Sequence, residues 1–186
     1  MTANVKFAKV KPDAIIPSKR DEDMGFDIYA CFDEDYIVIH PHETRLIPTG
    51  IASACSSEYG FVLRERGSTG SKGIALRAGV IDSGYHGEWF VGLTNTTSKT
   101  MYISKLSDDK LAEAVSKVVD GDIINALFGS ILKDSIKDSI VYPYSKAIAQ
   151  ALVVPVPKAK VEEISYEELK AIKSDRGMGA LGSSNK

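Results

Sequence analysis

Phe26-Asp27-Ile28-Tyr29-Ala30, Tyr36-Ile37-Val38-Ile39, Gly60-Phe61-Val62-Leu63 and Trp89-Phe90-Val91-Gly92-Leu93 are short apolar runs set between turn residues. Their length and their β-branched and aromatic content predict short β-strands. From Val5 to Asn95 no helical period separates these runs. A parallel sheet with helical crossovers is therefore disfavoured, and the pattern predicts an all-β jelly roll, sandwich or barrel.

Working outward, the character changes after Ser98. Ser107-Asp108-Asp109 offers a helix cap and an acidic first turn, and Leu111, Val115, Val118 and Val119 follow at helical spacing, predicting a helix that ends at Gly121. Ile123, Ile124, Leu127, Phe128, Ile131, Leu132, Ile136 and Ile140 then share one face of a second helix. Residues 104–142 thus read as a helical hairpin inserted into a β domain made of 1–103 and 143–173. Strand character returns from Ile148 to Val156, closed by Pro155 and Pro157. Ser165-Tyr166-Glu167-Glu168 is a capping box for a short helix reaching about Lys173, and the Gly- and Ser-rich residues 174–186 read as a mobile arm.

The bulk properties bound the partners. With 186 residues, the chain holds one domain plus an insertion. A net charge of -2 gives no electrostatic footprint for nucleic acid or an anionic membrane, so small molecules or proteins are the expected partners. Cys31 and Cys55 lie far apart, without metal-ligand spacing, and His40, His42 and His86 have no companion that implies ligation. Residues 1–11 contain no apolar signal core and no run is long enough to span a bilayer, so the expectation is a reduced protein of the cytoplasm, or of the cytoplasm of an infected host.

Two glycine-rich segments imitate common nucleotide motifs. Gly67-Ser68-Thr69-Gly70-Ser71-Lys72-Gly73 has the wrong glycine spacing for a P-loop, with Gly73 where a magnesium-binding hydroxyl belongs. Gly177-Met178-Gly179-Ala180-Leu181-Gly182 fits a dinucleotide fingerprint but follows no strand and opens no helix. Both still supply free backbone N–H groups, hydroxyls and a nearby cation, Arg66 or Arg176, which is equipment for holding phosphate. A third segment, Gly79-Val80-Ile81-Asp82-Ser83-Gly84-Tyr85-His86-Gly87, reads as a hairpin with Ile81 inward and Asp82 and Tyr85 near its mouth.

Taken singly, each segment fits a plain turn or strand. In order and content together they resemble the five motifs of the trimeric dUTPase family. Met24-Gly25-Phe26-Asp27-Ile28-Tyr29-Ala30 resembles the first, Arg66-Gly67-Ser68 the second, Gly79 to Gly87 the third, Ile148-Ala149-Gln150 the fourth, and Arg176-Gly177-Met178-Gly179-Ala180-Leu181-Gly182-Ser183-Ser184 the fifth. The insertion resembles extra segments found at this place in some bacteriophage dUTPases. Departures are Glu65 for the usual Pro, Gly67-Ser68 for Ser-Gly or Ser-Ser, Lys146-Ala147 where Arg precedes I-A-Q, Leu181 for the stacking Phe, and Asn185 for the final Gly.

The resemblance implies a jelly-roll β-barrel of the trimeric dUTPase type, with a helical insertion and a flexible C-terminal arm. It implies magnesium-dependent hydrolysis of dUTP to dUMP and pyrophosphate by a homotrimer, which limits uracil incorporation into DNA and supplies dUMP for thymidylate synthesis. Asp82 is then the general base on the attacking water, and Asp27 holds waters of the Mg2+ shell. Tyr85 lies against the deoxyribose, and the backbone of the Gly79 to Gly87 segment, with Gly79 and Ile81, pairs with uracil. Gly67, Ser68, Thr69, Gly70 and Gln150 serve the α- and β-phosphates, while Arg66 either contacts phosphate or holds an acidic partner. Arg176, Gly177, Leu181, Gly182, Ser183 and Ser184 form an arm that closes over the γ-phosphate from another subunit. The alternatives are a dCTP deaminase-type enzyme of the same fold and a regulatory dUTPase scaffold that binds another protein through the insertion's apolar face.

Overall fold

The computed structural model describes residues 3–118 and 136–174. By chain contacts it divides into two units, Met1–Val156 and Pro157–Lys186.

The first unit is built from β1 (Val5–Lys9), β2 (Phe26–Ile28), β3 (Tyr36–Ile39), β4 (Thr44–Pro48), β5 (Ile51–Cys55) and β6 (Tyr59–Arg64). A four-residue turn of helix, α1 (Gly67–Gly70), precedes β7 (Ile74–Arg77), β8 (Val80–Ile81), β9 (Phe90–Asn95) and β10 (Met101–Ser104). Then come α2 (Asp108–Val118), β11 (Ile140–Pro143) and β12 (Ala149–Pro155). Among the described residues the strands form four sheets, ordered β1-β5, β11-β10-β3, β2-β12-β6-β8 and β4-β9-β7. All but one of the pairings are antiparallel, as the alternating runs imply. The expectation of an all-β, jelly-roll body holds.

One continuous core draws on every sheet. At its centre Trp89 lies edge-on to Phe61, ring centroids 4.9 Å apart, and to Phe7 at 5.7 Å, with Phe26 beyond Phe7 at 5.9 Å. Each such pair contributes about 0.5–1.5 kcal/mol beyond the area it buries, so this cluster locks the β1-β5 sheet against the four-stranded one. The strand period then decides what faces outward: in β12, Ala149 and Ala151 are fully buried while Gln150 between them points away from the core.

The inserted region corrects one sequence expectation. Ile140, read as the last residue on a helical face, begins β11, which pairs in parallel with β10, Met101 opposite Ile140 and Tyr102 opposite Val141. Spacing of four fits a helix turn, but pairing to β10 buries Ile140 and Tyr142 against the main core. The helical part thus stops short of 140. On the other face of this sheet Tyr102, Val38 and Val141 pack against Leu111, Ala112, Val115 and Ile136. Leu111 is fully buried, which stabilises by about 1.5–3 kcal/mol, so the apolar face of α2 is used on its own sheet. The acidic first turn, Asp108 and Asp109, is as expected; the stretch 119–135, with the predicted helix end at Gly121 and most of the second helix, lies outside the described residues. Among the described residues no helix is long and apolar enough to cross a membrane.

The second unit holds α3 (Tyr166–Ala171). The predicted capping box is formed: the Ser165 hydroxyl accepts from the Glu168 backbone N–H at 3.2 Å, and the Glu168 carboxylate accepts from the Ser165 N–H at 2.8 Å. The Ser165 hydroxyl also donates to that carboxylate at 2.7 Å, and this bond first, with the one from the Ser165 N–H, holds the Glu168 carboxyl below the usual range.

Candidate functional site

Sheet register places three of the quoted segments together. Gln150 stands opposite Asp27 on one side and Arg64 on the other, so Asp27 and Gln150 share a row across β2 and β12. Immediately after β6 the chain turns through α1. There the Thr69 hydroxyl accepts from the Arg66 N–H at 3.1 Å and donates to the Arg66 carbonyl at 3.0 Å, closing the turn on itself.

The result is a cleft of about 700 Å³ lined by Asp27, Arg66, Gly67, Ser68 and Gln150, together with Gly25 and the segment Ser18, Lys19, Arg20, Asp23 and Met24. Arg66 faces Asp27 with two of its nitrogens, Nε at 2.9 Å and Nη2 at 3.2 Å, and its Nη1 reaches the Ala147 carbonyl at 3.5 Å. Of the two roles left open for Arg66, the structure displays the acidic partner. Both side chains are about one-third exposed, 31% and 34%, so the pair orders the cleft more than it stabilises the fold. Gln150 donates from Nε2 to the Glu65 carbonyl at 2.7 Å, which fixes its amide plane and leaves a second N–H.

Glu65 was not among the sequence candidates, yet it organises this corner. Its Oε1 accepts from the Leu76 N–H at 2.9 Å, joining the end of β6 to β7. Its own backbone N–H and that of Leu76 hold the carboxyl below the usual carboxylate range. Lys19, Arg20 and Asp23 were also missed; their one signal was the run Lys19-Arg20-Asp21-Glu22-Asp23 ahead of Met24, which reads as a solvated turn.

Two other candidates from the same segment are not at the cleft. Thr69 is 2% exposed with its hydroxyl engaged inside the turn, so its part is to fix the loop. Gly70 donates its N–H to the Arg66 carbonyl at 2.9 Å and does not line the cleft.

The third segment stands apart. Ile81 is buried as expected, but β8 pairs with β6 and the next strand, β9, belongs to a different sheet. The segment is thus a connection between sheets and not a two-stranded hairpin. Its geometry is tight: Ala78 has φ 52, and the Gly79 carbonyl accepts from the Leu63 N–H at 2.6 Å. Asp82 is exposed at the head of a turn closed by the Tyr85 N–H, and the Tyr85 hydroxyl donates to the Glu88 carbonyl at 2.9 Å. A Cβ at Gly87 would lie 2.6 Å from that hydroxyl, so glycine is required for the ring to fold back.

β2 and β8 are the opposite edges of one sheet. Three strand spacings sideways, and about four residues along β6 from the Arg64 row to the Gly60 row, put Asp27 and Asp82 on the order of 20 Å apart. Arg176, Gly177, Leu181, Gly182, Ser183 and Ser184 lie outside the described residues.

Comparison with known proteins bears on what this arrangement is. The sequence matches the family model described as dUTPase over residues 11–124. It is 34% identical over 125 residues to the deoxyuridine 5'-triphosphate nucleotidohydrolase of Nautilia profundicola, an alignment covering 64% of this chain and 84% of that protein. In fold it is similar to the Staphylococcus bacteriophage 80alpha dUTPase solved with dUpNHpp, with a TM-score of 0.66, 20% identity, and 98% and 99% of the two chains covered. It is likewise similar to the dUTPase of S. aureus phage phi11, whose structure reveals coordination of a structural Mg(II) ion, with a TM-score of 0.58, 18% identity, and 87% and 96% covered. The family match takes in more than half of the chain, including every described cleft residue except Gln150: the chain belongs to the dUTPase family.

Proposed function

We infer that this protein is a dUTP diphosphatase, hydrolysing dUTP to dUMP and pyrophosphate. The observation that carries the reading is the meeting of Asp27, Arg66, Ser68 and Gln150, from three separate motif segments, around one cleft in a chain of this family.

In this reading the Ser68 hydroxyl, the loop backbone at Gly67 and the second N–H of Gln150 receive the phosphates. Divalent metal use belongs to the family, and Mg2+ is the ion proposed. Asp27, with its carboxylate oxygens held by Arg66, suits a place one water away from the ion. Among the described residues there is no cluster of three acidic, His or Cys side chains that would hold a metal directly. When bound on the phosphates, the ion neutralises their charge and polarises the α-phosphorus.

Asp82 takes the proton of the attacking water, while the Tyr85 ring sits against deoxyribose and the Gly79 to Gly87 backbone reads uracil. The attacking water and the metal's water shell serve one phosphate, so Asp27 and Asp82 of the same chain, at opposite sheet edges, do not serve the same substrate. A complete site takes its third segment from a second copy, and a homotrimer is the assembly proposed. The arm residues Arg176, Gly177, Leu181, Gly182, Ser183 and Ser184 close that site over the γ-phosphate on sequence grounds. Cys31 and Cys55, both free, fit the reducing cytoplasm.

Neither alternative is favoured by a particular observation. The apolar face of α2 lies on its own sheet, so the described part of the insertion leaves no such face for a regulatory partner. The test is release of pyrophosphate and of ammonia from dUTP, dTTP, dCTP and UTP with and without Mg2+. The expected result is metal-dependent pyrophosphate release from dUTP alone; ammonia from dCTP would overturn the reading in favour of a deaminase.

A further inference from the structure

Arg66, the guanidinium nearest the phosphate loop, is committed at three points, twice to Asp27 and once to the Ala147 carbonyl. The cleft is lined by three cations, Lys19, Arg20 and Arg66, and two carboxylates, Asp23 and Asp27, so it carries one net positive charge toward a polyanionic ligand. Lys19 uses its ammonium on the carbonyls of Arg20, Asp21 and Asp23 at 3.1, 3.4 and 2.9 Å, which pins the turn that carries Arg20. Arg20 itself has one carboxylate partner, Asp23, three residues away, with Nε at 2.9 Å and Nη2 at 2.8 Å. Its side chain is 88% exposed.

We propose that Arg20 is a phosphate-binding residue of the dUTPase site: it rests on Asp23 and transfers its two N–H groups to the substrate's polyphosphate. The argument rests on the dUTP reading for the identity of the ligand. An exposed ion pair between near neighbours in water contributes little and is readily exchanged, whereas a guanidinium presents the same fork to phosphate oxygens as to a carboxylate. A polyphosphate brings several charges to the cleft where Asp23 offers one, so arrival of the ligand favours the exchange. Lys19 keeps the turn in place while Arg20 moves.

The two partners of the pair distinguish this role from a structural one. Arg20→Gln should raise KM for dUTP about tenfold with kcat within about twofold, and Arg20→Lys should recover part of the loss. Asp23→Asn, which frees Arg20, should lower KM by roughly twofold. The same variants are titrated with inorganic tripolyphosphate by calorimetry, where Arg20→Gln should weaken binding and Asp23→Asn strengthen it. Equal rises in KM for both variants mean a merely structural ion pair, and an unchanged KM for Arg20→Gln means no phosphate contact; either overturns the proposal. If the wild-type chain binds tripolyphosphate through Arg20 yet leaves dUTP intact, the dUTP reading fails and the assignment of Arg20 stands. Folding does not confound the Arg20 variants, whose side chain is 88% exposed; Asp23, 36% exposed, also accepts from the Arg20 N–H at 3.2 Å, so a melting curve for Asp23→Asn is measured alongside.

Discussion

Gly25→Ala tests whether the cleft depends on the posture of Gln150. An added Cβ at Gly25 would come 2.9 Å from Gln150 Oε1, 3.1 Å from its Cβ and 3.3 Å from Leu152 Cδ2. The backbone at Gly25 is not in the left-handed region, so the penalty is one of contact. Leu152 can rotate away. The Gln150 Cβ cannot, because β12 is hydrogen-bonded to β2 and to β6 on either side. What yields is the amide, which must leave the Glu65 carbonyl it now meets at 2.7 Å. A lost hydrogen bond of about 0.5–1.5 kcal/mol and overpacking of about 1–3 kcal/mol together give a destabilisation of roughly 2–3 kcal/mol after relaxation. At about 2–4 °C per kcal/mol for a chain of this size, the melting temperature should fall by roughly 4–12 °C. Turnover should suffer more than stability, since the displaced amide is a proposed phosphate donor. Melting curves and steady-state kinetics are measured for Gly25→Ala, Gln150→Ala and the double variant. If the clash acts through the Gln150 amide, Gly25→Ala costs clearly less in the Gln150→Ala background than in the wild type, a failure of additivity. Additive losses would refute the reasoning and place the strain on Leu152 or the strand backbone.

Asp82→Asn should leave assembly and nucleotide binding in place and lower kcat by about 10²–10⁴-fold, because an amide does not accept the water's proton; near-normal turnover in a single-turnover assay would remove Asp82 as the base. For Glu65, whose folded carboxyl titrates below its ordinary value of 4.5, the stability it lends is fully present above that pH and is lost as pH falls through the folded value. Glu65→Gln should therefore flatten the acid limb of a stability-against-pH curve measured by urea unfolding between pH 6 and pH 3, and an unchanged limb would show that the Leu76 contact carries no charge dependence. Truncation before Asp175 should abolish most dUTP turnover while sparing uracil recognition, read by inhibition with dUMP; full activity would mean that the fifth segment matches by accident.

The β body was legible because strand residues there obey a period of two: Ile37 and Ile39 face the core while Tyr36 and Val38 face α2. The same rule fails at Ile140, where a spacing of four serves a helix and a non-local strand pairing decides otherwise. α1 escaped notice since four residues with two glycines carry no period. The pairing of β8 with β6 was likewise invisible, because turn signals at Gly79 and Gly84 say where the chain bends and nothing about the strand it next meets. In the site, residue types within motifs were readable. The roles of Lys19, Arg20 and Glu65 come from side chains that meet backbone groups and carboxylates across turns, which spacing does not encode. Thr69 shows the reverse error, a hydroxyl in the right segment whose partners are its own loop.

The parallel pairing of β10 with β11 has a consequence for how this protein could acquire new parts. Ser104 leaves the sheet beside Pro143, and the chain must re-enter at Ile140 beside Met101, so whatever joins them has to travel back along the strand pair, about 10 Å. A tight turn would force β11 to run the other way and would take Tyr142 out of the core, where it is 1% exposed and donates to the Ala147 carbonyl at 2.7 Å. A crossover of this kind needs a dozen or more residues, but beyond that minimum added length costs little, about 0.6 kcal/mol per doubling. The segment therefore works as a mount with two fixed posts: foreign sequence of almost any greater size can be carried between them, and shortening has a floor set by the direction of one strand.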